Sequence, residues 1–153
     1  MSEEHKMKQI SVEKITFNIG TGAPGDALDK GVMLLNKITG AKAVKTKTVK
    51  RIPTWGVRPG LEIGCKVTVR GKKAHEILGK MLKGVNNELK ETNFDTSGNV
   101  AFGIKEYLDV PGIEYDATIG IRGFEIAVTL TRPGYRIKKR ILKKSKITRK
   151  IRL

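Results

Sequence analysis

Six consecutive residues, Gly20-Thr21-Gly22-Ala23-Pro24-Gly25, fit the pattern G-x-G-x-x-G between a strand-like and a helix-like stretch. In a dinucleotide-binding unit such glycines let the backbone approach a pyrophosphate at a helix N-terminus. The surroundings oppose that chemistry. The first strand of such a unit is buried on both faces, whereas the stretch before Gly20 has a polar side. Asp26 and Asp29 stand where the pyrophosphate would dock and would repel it. No acidic residue lies between 42 and 61, where a ribose-binding carboxylate belongs. A plain tight turn is the better reading, and a dinucleotide-dependent enzyme is kept as the alternative. Metal chemistry fares no better, because the one cysteine, Cys65, has no ligand partner and His5 and His75 share no ligand spacing. No Ser-His-Asp set is present, and the paired carboxylates Glu3-Glu4 sit at a terminus. No enzyme activity and no cofactor are expected.

The cations carry a clearer message. The formal net charge is +16, from 31 basic and 15 acidic residues. Residues 42–58 hold six Lys/Arg and no acid, and residues 132–153 hold eleven and no acid. Those two segments account for the whole excess and leave a nearly neutral remainder. Two acid-free stretches on a balanced body suit contact with a polyanion, above all nucleic acid. A membrane surface is the rival, but neither stretch forms an amphipathic helix with an aromatic-rich apolar side. No window of ~18 apolar residues is present, so no membrane span is expected. The N-terminus lacks the apolar stretch of a secretion signal. A single cysteine excludes an internal disulfide and fits a reducing compartment.

The elements that must position these cations follow from periodicity. In residues 63–70, Ile63, Cys65, Val67 and Val69 point one way, and Gly64, Lys66, Thr68 and Arg70 the other. Residues 11–20 alternate likewise, with Ile15, Phe17 and Ile19 inward and Thr16 and Asn18 outward. Residues 43–49 form a further strand whose Lys45 and Lys47 share a side. Residues 100–107 and 124–131 are two more, the latter turning Thr129 and Thr131 outward. One helix starts at Asp26 as its N-cap and ends at Gly40, with Leu28, Val32, Leu35 and Ile38 on one stripe. A second spans 72–89 through Ala74, Ile77, Leu78, Met81, Val85 and Leu89, weakened by Gly79 and Gly84. The expected fold is α+β: a largely antiparallel five-stranded sheet, two main helices covering one face, the other face open for RNA, and a basic C-terminal extension. Residues 1–153 read as one domain, with 132–153 as its tail.

The open face collects Thr16, Asn18, Lys45, Lys47, Lys66, Thr68, Arg70, Thr129 and Thr131, with no carboxylate and no aromatic residue. Base-stacking platforms need aromatics, so hydroxyls, amides and cations suit the phosphates and ribose hydroxyls of a folded RNA better. The loop from 49 to 60 protrudes between Pro53 and Pro59 and carries Lys50, Arg51 and Arg58. Its Trp55 either stacks on a base or packs back against Ile52 and Val57.

Five blocks of sequence now become recognisable: KITFNIGTG at 14–22, ITGAKAVKTK at 38–47, IGCKVTVRG at 63–71, NFDTSGNVAFGIKE at 93–106 and DATIGIRGFEIAVTLTRPGYR at 116–136. Together they closely resemble the universal L five family of large-ribosomal-subunit proteins, over about residues 8–140. The RPGYR…KKR ending is similar to the archaeal and eukaryotic branch. The resemblance implies a non-enzymatic protein of the central protuberance that works in the cytoplasm, in the ribosome. It implies 5S ribosomal RNA binding through the open face, at positions matched here by Asn18 and Thr68. Thr16, Lys42, Lys45, Thr46, Lys47, Lys66 and Arg70 complete the expected 5S surface. It implies that the 49–60 loop, through Lys50, Arg51, Pro53, Thr54, Trp55 and Arg58, reaches the P-site tRNA. A contact with a small-subunit protein across the interface is also implied, beside other neighbouring ribosomal proteins. Large-subunit ribosomal RNA is expected on the tail, at Arg132, Tyr135, Arg136, Lys138, Lys139, Arg140, Lys143 and Lys144. The family usually has Gln where this chain has Ala41, so one RNA contact is lost or taken over by Lys42. Archaeal-type members usually continue beyond the tail into a further helical segment. A free RNA- or DNA-binding regulator is the remaining alternative.

Overall fold

The computed structural model describes residues 6–95 and 98–147. Five strands, β1 (Ser11–Gly20), β2 (Val44–Lys47), β3 (Glu62–Val69), β4 (Val100–Ile104) and β5 (Phe124–Thr131), form one sheet in the order β2-β3-β1-β5-β4. Every pairing is antiparallel. Helices α1 (Asp26–Thr39) and α2 (Lys72–Lys83) pack on one side, and a short α3 (Arg136–Lys139) follows the last strand. The expected α+β class and open antiparallel sheet are what the chain adopts. The antiparallel neighbours on both sides of β1 also remove the parallel crossover that a dinucleotide fold requires.

The alternation that defines the strands builds the core. Ile15, Phe17 and Ile19 of β1, Cys65, Val67 and Val69 of β3, and Ile126 and Val128 of β5 are all buried. Leu28, Leu34 and Leu35 of α1 and Ala74, Ile77 and Met81 of α2 close over them. The Val, Leu, Ile, Phe and Met side chains among them contribute about 1.5–3 kcal/mol each when fully buried. Gly31 explains how closely α1 approaches the sheet: a Cβ there would sit 3.2 Å from Cys65 Sγ. Burial pushes the Cys65 thiol above its usual pKa, only partly offset by Arg122. The thiol is therefore protonated at neutral pH and out of reach. Iodoacetamide is expected to label the native protein at least about a hundredfold more slowly than the urea-unfolded chain. Labelling of the native protein at the unfolded rate would show that α1 does not seal this strand.

Several boundaries differ from the sequence expectation. Asp26 is the first helical residue, and Gly25 precedes it without a side-chain cap. Asp26 is held instead by Lys30 one turn on, at 2.8 Å. α2 stops at Lys83, well before the expected end at Leu89. Asn86 and Asn87 take φ values of 56° and 58°, which a helix cannot continue through. Val85 and Leu89 still pack against the core, because the turn follows the same surface. The apolar spacing thus outlasts the helix. β2 and β4 are shorter than 43–49 and 100–107. Beyond β4, Tyr107 leaves the sheet and buries its ring, and its hydroxyl accepts the Asp116 N–H at 3.0 Å. That bond anchors the connection to β5, in which Val110 and Ile119 are also buried. Asp116 accepts the Thr118 hydroxyl at 2.6 Å and the Lys37 ammonium at 3.2 Å. These bonds, the Thr118 one foremost, hold its carboxyl below the usual range.

Candidate nucleic-acid interface

With both main helices on one side, the other side of the sheet is covered by neither of them, and the strand register fixes what it displays. Thr68 pairs with Thr16, Thr16 with Ala127, and Ala127 with Ala101, so these four form one row. Lys66, Asn18, Glu125 and Gly103 form the next row by the same pairings, and Val44 extends it on β2. Thr46, Gly64 and Gly20 form a third. The Thr16 and Thr68 hydroxyls stand 3.5 Å apart. Lys66 and Arg70 are exposed, and Thr129 lies opposite Lys14 at the far end.

The β3 half of this face is cationic and hydroxylated as expected. The β4–β5 half was not anticipated. Ala101, Gly103 and Ala127 are exposed and carry at most a methyl group, so that half is a smooth shelf. Together with Thr16, Asn18 and Glu125, these three residues line a shallow hollow. The outward positions of residues 100–104 and 124–131 carried this signal, but reading for polar side chains passes over alanine and glycine.

Two expectations require correction. The open face does contain a carboxylate. Glu125 lies between the inward Phe124 and Ile126, so alternation forces it outward, where it accepts the Asn18 amide at 3.2 Å. Lys45 and Lys47 do not join Lys66 on the open face. Lys45 pairs opposite Cys65, an inward residue, and therefore turns toward α1, where it meets Asp29 at 2.7 Å. That hydrogen bond raises the Lys45 pKa, aided by the charges of Asp29 and Glu62 and opposed by desolvation. A register shift follows Thr46, and Lys47 pairs with Glu62, its ammonium 3.9 Å from that carboxylate. Segment 42–58 is acid-free in sequence, yet acids from elsewhere meet two of its six cations. Lys42 stays exposed beside half-buried Ala41, which packs on the core.

The protruding loop is a two-level hairpin. Thr48 N–H donates to Leu61 O at 2.9 Å, and Gly60 N–H to Thr48 O at 2.8 Å. Nearer the tip, Ile52 and Val57 exchange backbone bonds of 2.9 and 3.1 Å around a 3-10 turn at Pro53–Trp55. Gly56 closes that turn at φ 64°, a conformation glycine adopts freely. Val57 is buried, whereas Trp55 is 76% exposed, so packing back is not what this residue does. Lys50, Arg51, Pro53, Thr54 and Arg58 are exposed, and none of the three cations has an ion-pair partner among the described residues.

The turn at 20–25 offers a phosphate little. The Thr21 and Gly22 amides both donate to Ile63 O, at 2.9 and 3.1 Å. Asp26 and Asp29, paired with Lys30 and Lys45, occupy the start of α1.

Comparison with known proteins decides among the alternatives. A family model described as the C-terminus of the ribosomal L5 family matches residues 62–149, and one described as ribosomal protein L5 matches residues 5–58. The chain belongs to the ribosomal protein L5 family. Among its L5 relatives, the large ribosomal subunit protein uL5 of Nanoarchaeum equitans is 48% identical over 98% of this chain and 89% of its own length. The uL5 protein of Sulfurisphaera tokodaii is 47% identical over 95% of this chain and 82% of its own. That of Methanobrevibacter smithii is 40% identical over 96% and 86%. These are archaeal proteins, in line with the branch that the basic ending resembles.

In this L5-family chain the tail is not a loose extension. Lys139 of α3 forms an ion pair with Glu13, which sits at the bulge of β1. Arg132 and Tyr135 are half-buried, and Arg132 Nε is buried with no hydrogen-bond partner among the described residues. Arg136, Lys138, Arg140, Lys143 and Lys144 are exposed. The last six residues, 148–153, lie outside the described residues, as do His5 and the Glu3-Glu4 pair.

Proposed function

We propose that this chain, a structural constituent of the large ribosomal subunit and not an enzyme, binds 5S ribosomal RNA on its open sheet face. The observation that carries this reading is the pair of register-aligned rows running from Lys66 and Thr68 through Asn18 and Thr16 to the shelf of Ala101, Gly103 and Ala127. Cations and hydroxyls on one half meet phosphates and ribose. The shelf on the other half lets an RNA edge lie close. Glu125, as an acceptor, suits ribose 2′-hydroxyl donors and not phosphates. Thr46 and Arg70 border the same surface, and exposed Lys42 lies two residues before β2. Lys45 and Lys47 contribute through the hairpin base that they brace. The protein works in the cytoplasm, within the ribosome, and the exposed tail cations meet large-subunit ribosomal RNA.

This binding is expected to be strongly salt-dependent. Filter binding of 5S ribosomal RNA across a salt series should give a log–log slope of magnitude roughly 4 to 8, flattened by about 2 or more on deletion of residues 132–153. A slope near zero would remove the polyanion reading of both basic segments.

The loop serves a second RNA. Lys50, Arg51 and Arg58 lie in the loop between β2 and β3 and have no ion-pair partner among the described residues, while Trp55 offers an exposed ring for a base or ribose. Replacing the three cations with alanine is expected to leave 5S affinity within about twofold while weakening P-site tRNA retention in assembled ribosomes. A collapse of 5S binding with unchanged tRNA occupancy would assign the loop to the 5S interface instead. For the small-subunit protein, the matching surface is residues 106–121, which hold four acids and no Lys/Arg. Tyr115 and Ile121 are exposed there, an acidic and apolar patch unsuited to RNA.

A further inference from the structure

The tail folds back on itself. After α3 the chain reverses at residues 140–143, where Arg140 Nε donates to Lys143 O at 2.8 Å and Lys143 takes φ 52°. Ser145 N–H then donates to Ile137 O at 3.4 Å. The returning segment encloses, with the end of the sheet, a crevice of about 770 Å³. Its sheet wall includes Lys14 and Thr129, which pair across β1 and β5 and continue the open face. Its apolar lining comes from half-buried Tyr135, Leu130 and Ile147. Lys138, Lys144 and Lys146 stand with Lys14 around it. Glu13, the one carboxylate among the described lining residues, is held by Lys139. None of those four lysines has an ion-pair partner among the described residues.

We propose that this crevice takes one unpaired nucleotide of a bound RNA, a site separate from the rows of Lys66 and Thr68 and resting on the RNA-binding reading above. An apolar lining within a set of ammonium groups suits a ligand that is apolar on one side and anionic on the other. A nucleotide has both parts: its base lies against Tyr135, Leu130 and Ile147, and its phosphate lies among Lys14, Lys138, Lys144 and Lys146. Inorganic phosphate would leave the apolar lining unused. A duplex keeps its bases stacked and paired, so only its phosphates would reach the lysines, whereas loops and bulges present splayed bases to aromatic side chains. The volume lies within the range of ordinary small-ligand sites. Since Lys14 and Thr129 belong to both surfaces, a nucleotide turned out of an RNA on the sheet enters without a break in contact.

The test uses the full chain, labelled with nitrogen-15 and titrated at physiological salt with a seven-nucleotide single-stranded RNA of mixed sequence, then with a blunt RNA duplex of equal length. The single strand is expected to shift amides at 14, 129–130, 135 and 144–147, and the duplex to leave those at 135 and 147 in place. Tyr135→Ala is expected to weaken single-strand affinity roughly tenfold, with an unchanged melting temperature. Shifts confined to the rows of Lys66 and Thr68, or equal crevice shifts from both RNAs, would overturn the proposal. The shift map uses the unaltered protein, so it decides even if Tyr135→Ala disturbs the tail. A parallel 5S titration separates the two readings: normal 5S binding without crevice shifts removes the crevice alone, and crevice shifts without 5S binding remove only the 5S assignment.

Discussion

Ala127→Glu is expected to reduce 5S ribosomal RNA affinity by about a hundredfold or more while the protein stays folded. Position 127 is exposed in the row of Thr68, Thr16 and Ala101, and its side chain ends at Cβ. A glutamate there adds bulk to the shelf and sets a second carboxylate beside Glu125 on the same strand. Juxtaposed like charges at an interface cost several kcal/mol, and each 1.4 kcal/mol is about tenfold in affinity. Stability is expected to change little, because the added side chain meets water in the free protein. Ala127→Ser, which adds a hydroxyl without charge, should lose less than about fivefold by the same conversion. Filter binding checks the affinity and urea denaturation the fold. Wild-type affinity in Ala127→Glu would place the RNA elsewhere than the β4–β5 half of the face.

The largest stability effect is expected at Phe17. Its ring is fully buried at the centre of β1, with the Phe124 ring centroid 6.1 Å away. β1 is the middle strand of the sheet, so a cavity there touches both halves of the core. Phe→Ala at such a site costs about 3–5 kcal/mol, a large share of the roughly 5–15 kcal/mol that a domain holds in reserve. A matching drop in the urea midpoint is expected, and Phe17→Leu should recover most of it. Thr16 and Asn18 flank Phe17 in sequence and face the opposite way, so Phe17→Ala should weaken RNA binding mainly by lowering the folded fraction. Added 5S RNA should then restore part of the stability by mass action. A loss under about 1 kcal/mol, on the scale of a surface change, would mean that the two faces of β1 are assigned the wrong way round.

The outward and inward sides of β1 and β3 were legible because a period of two needs only local sequence. Thr16, Asn18, Lys66 and Thr68 therefore stand on one face as alternation requires. Helix α1 was legible because its apolar stripe and Gly40, at φ 58° with its N–H on Asn36 O, define an end by local chemistry. The end of α2 was not, since Val85 and Leu89, spaced for a helix, also pack from the turn at Asn86 and Asn87.

Sequence alone determined the class of partner. Two acid-free basic segments and an alternating strand pattern do not depend on how the chain is routed. Only the tertiary structure decided which cations remain available to that partner. Lys45 reaches Asp29 across 16 residues, and Lys139 reaches Glu13 across 126. A bulge after Thr46 sets Lys47 against Glu62. Glu125 and Asn18 meet because β1 and β5, far apart in sequence, are neighbours in the sheet. An ion pair forms where two side chains come within a few ångströms, and that proximity is a property of strand order and register, which alternation within a single strand does not encode.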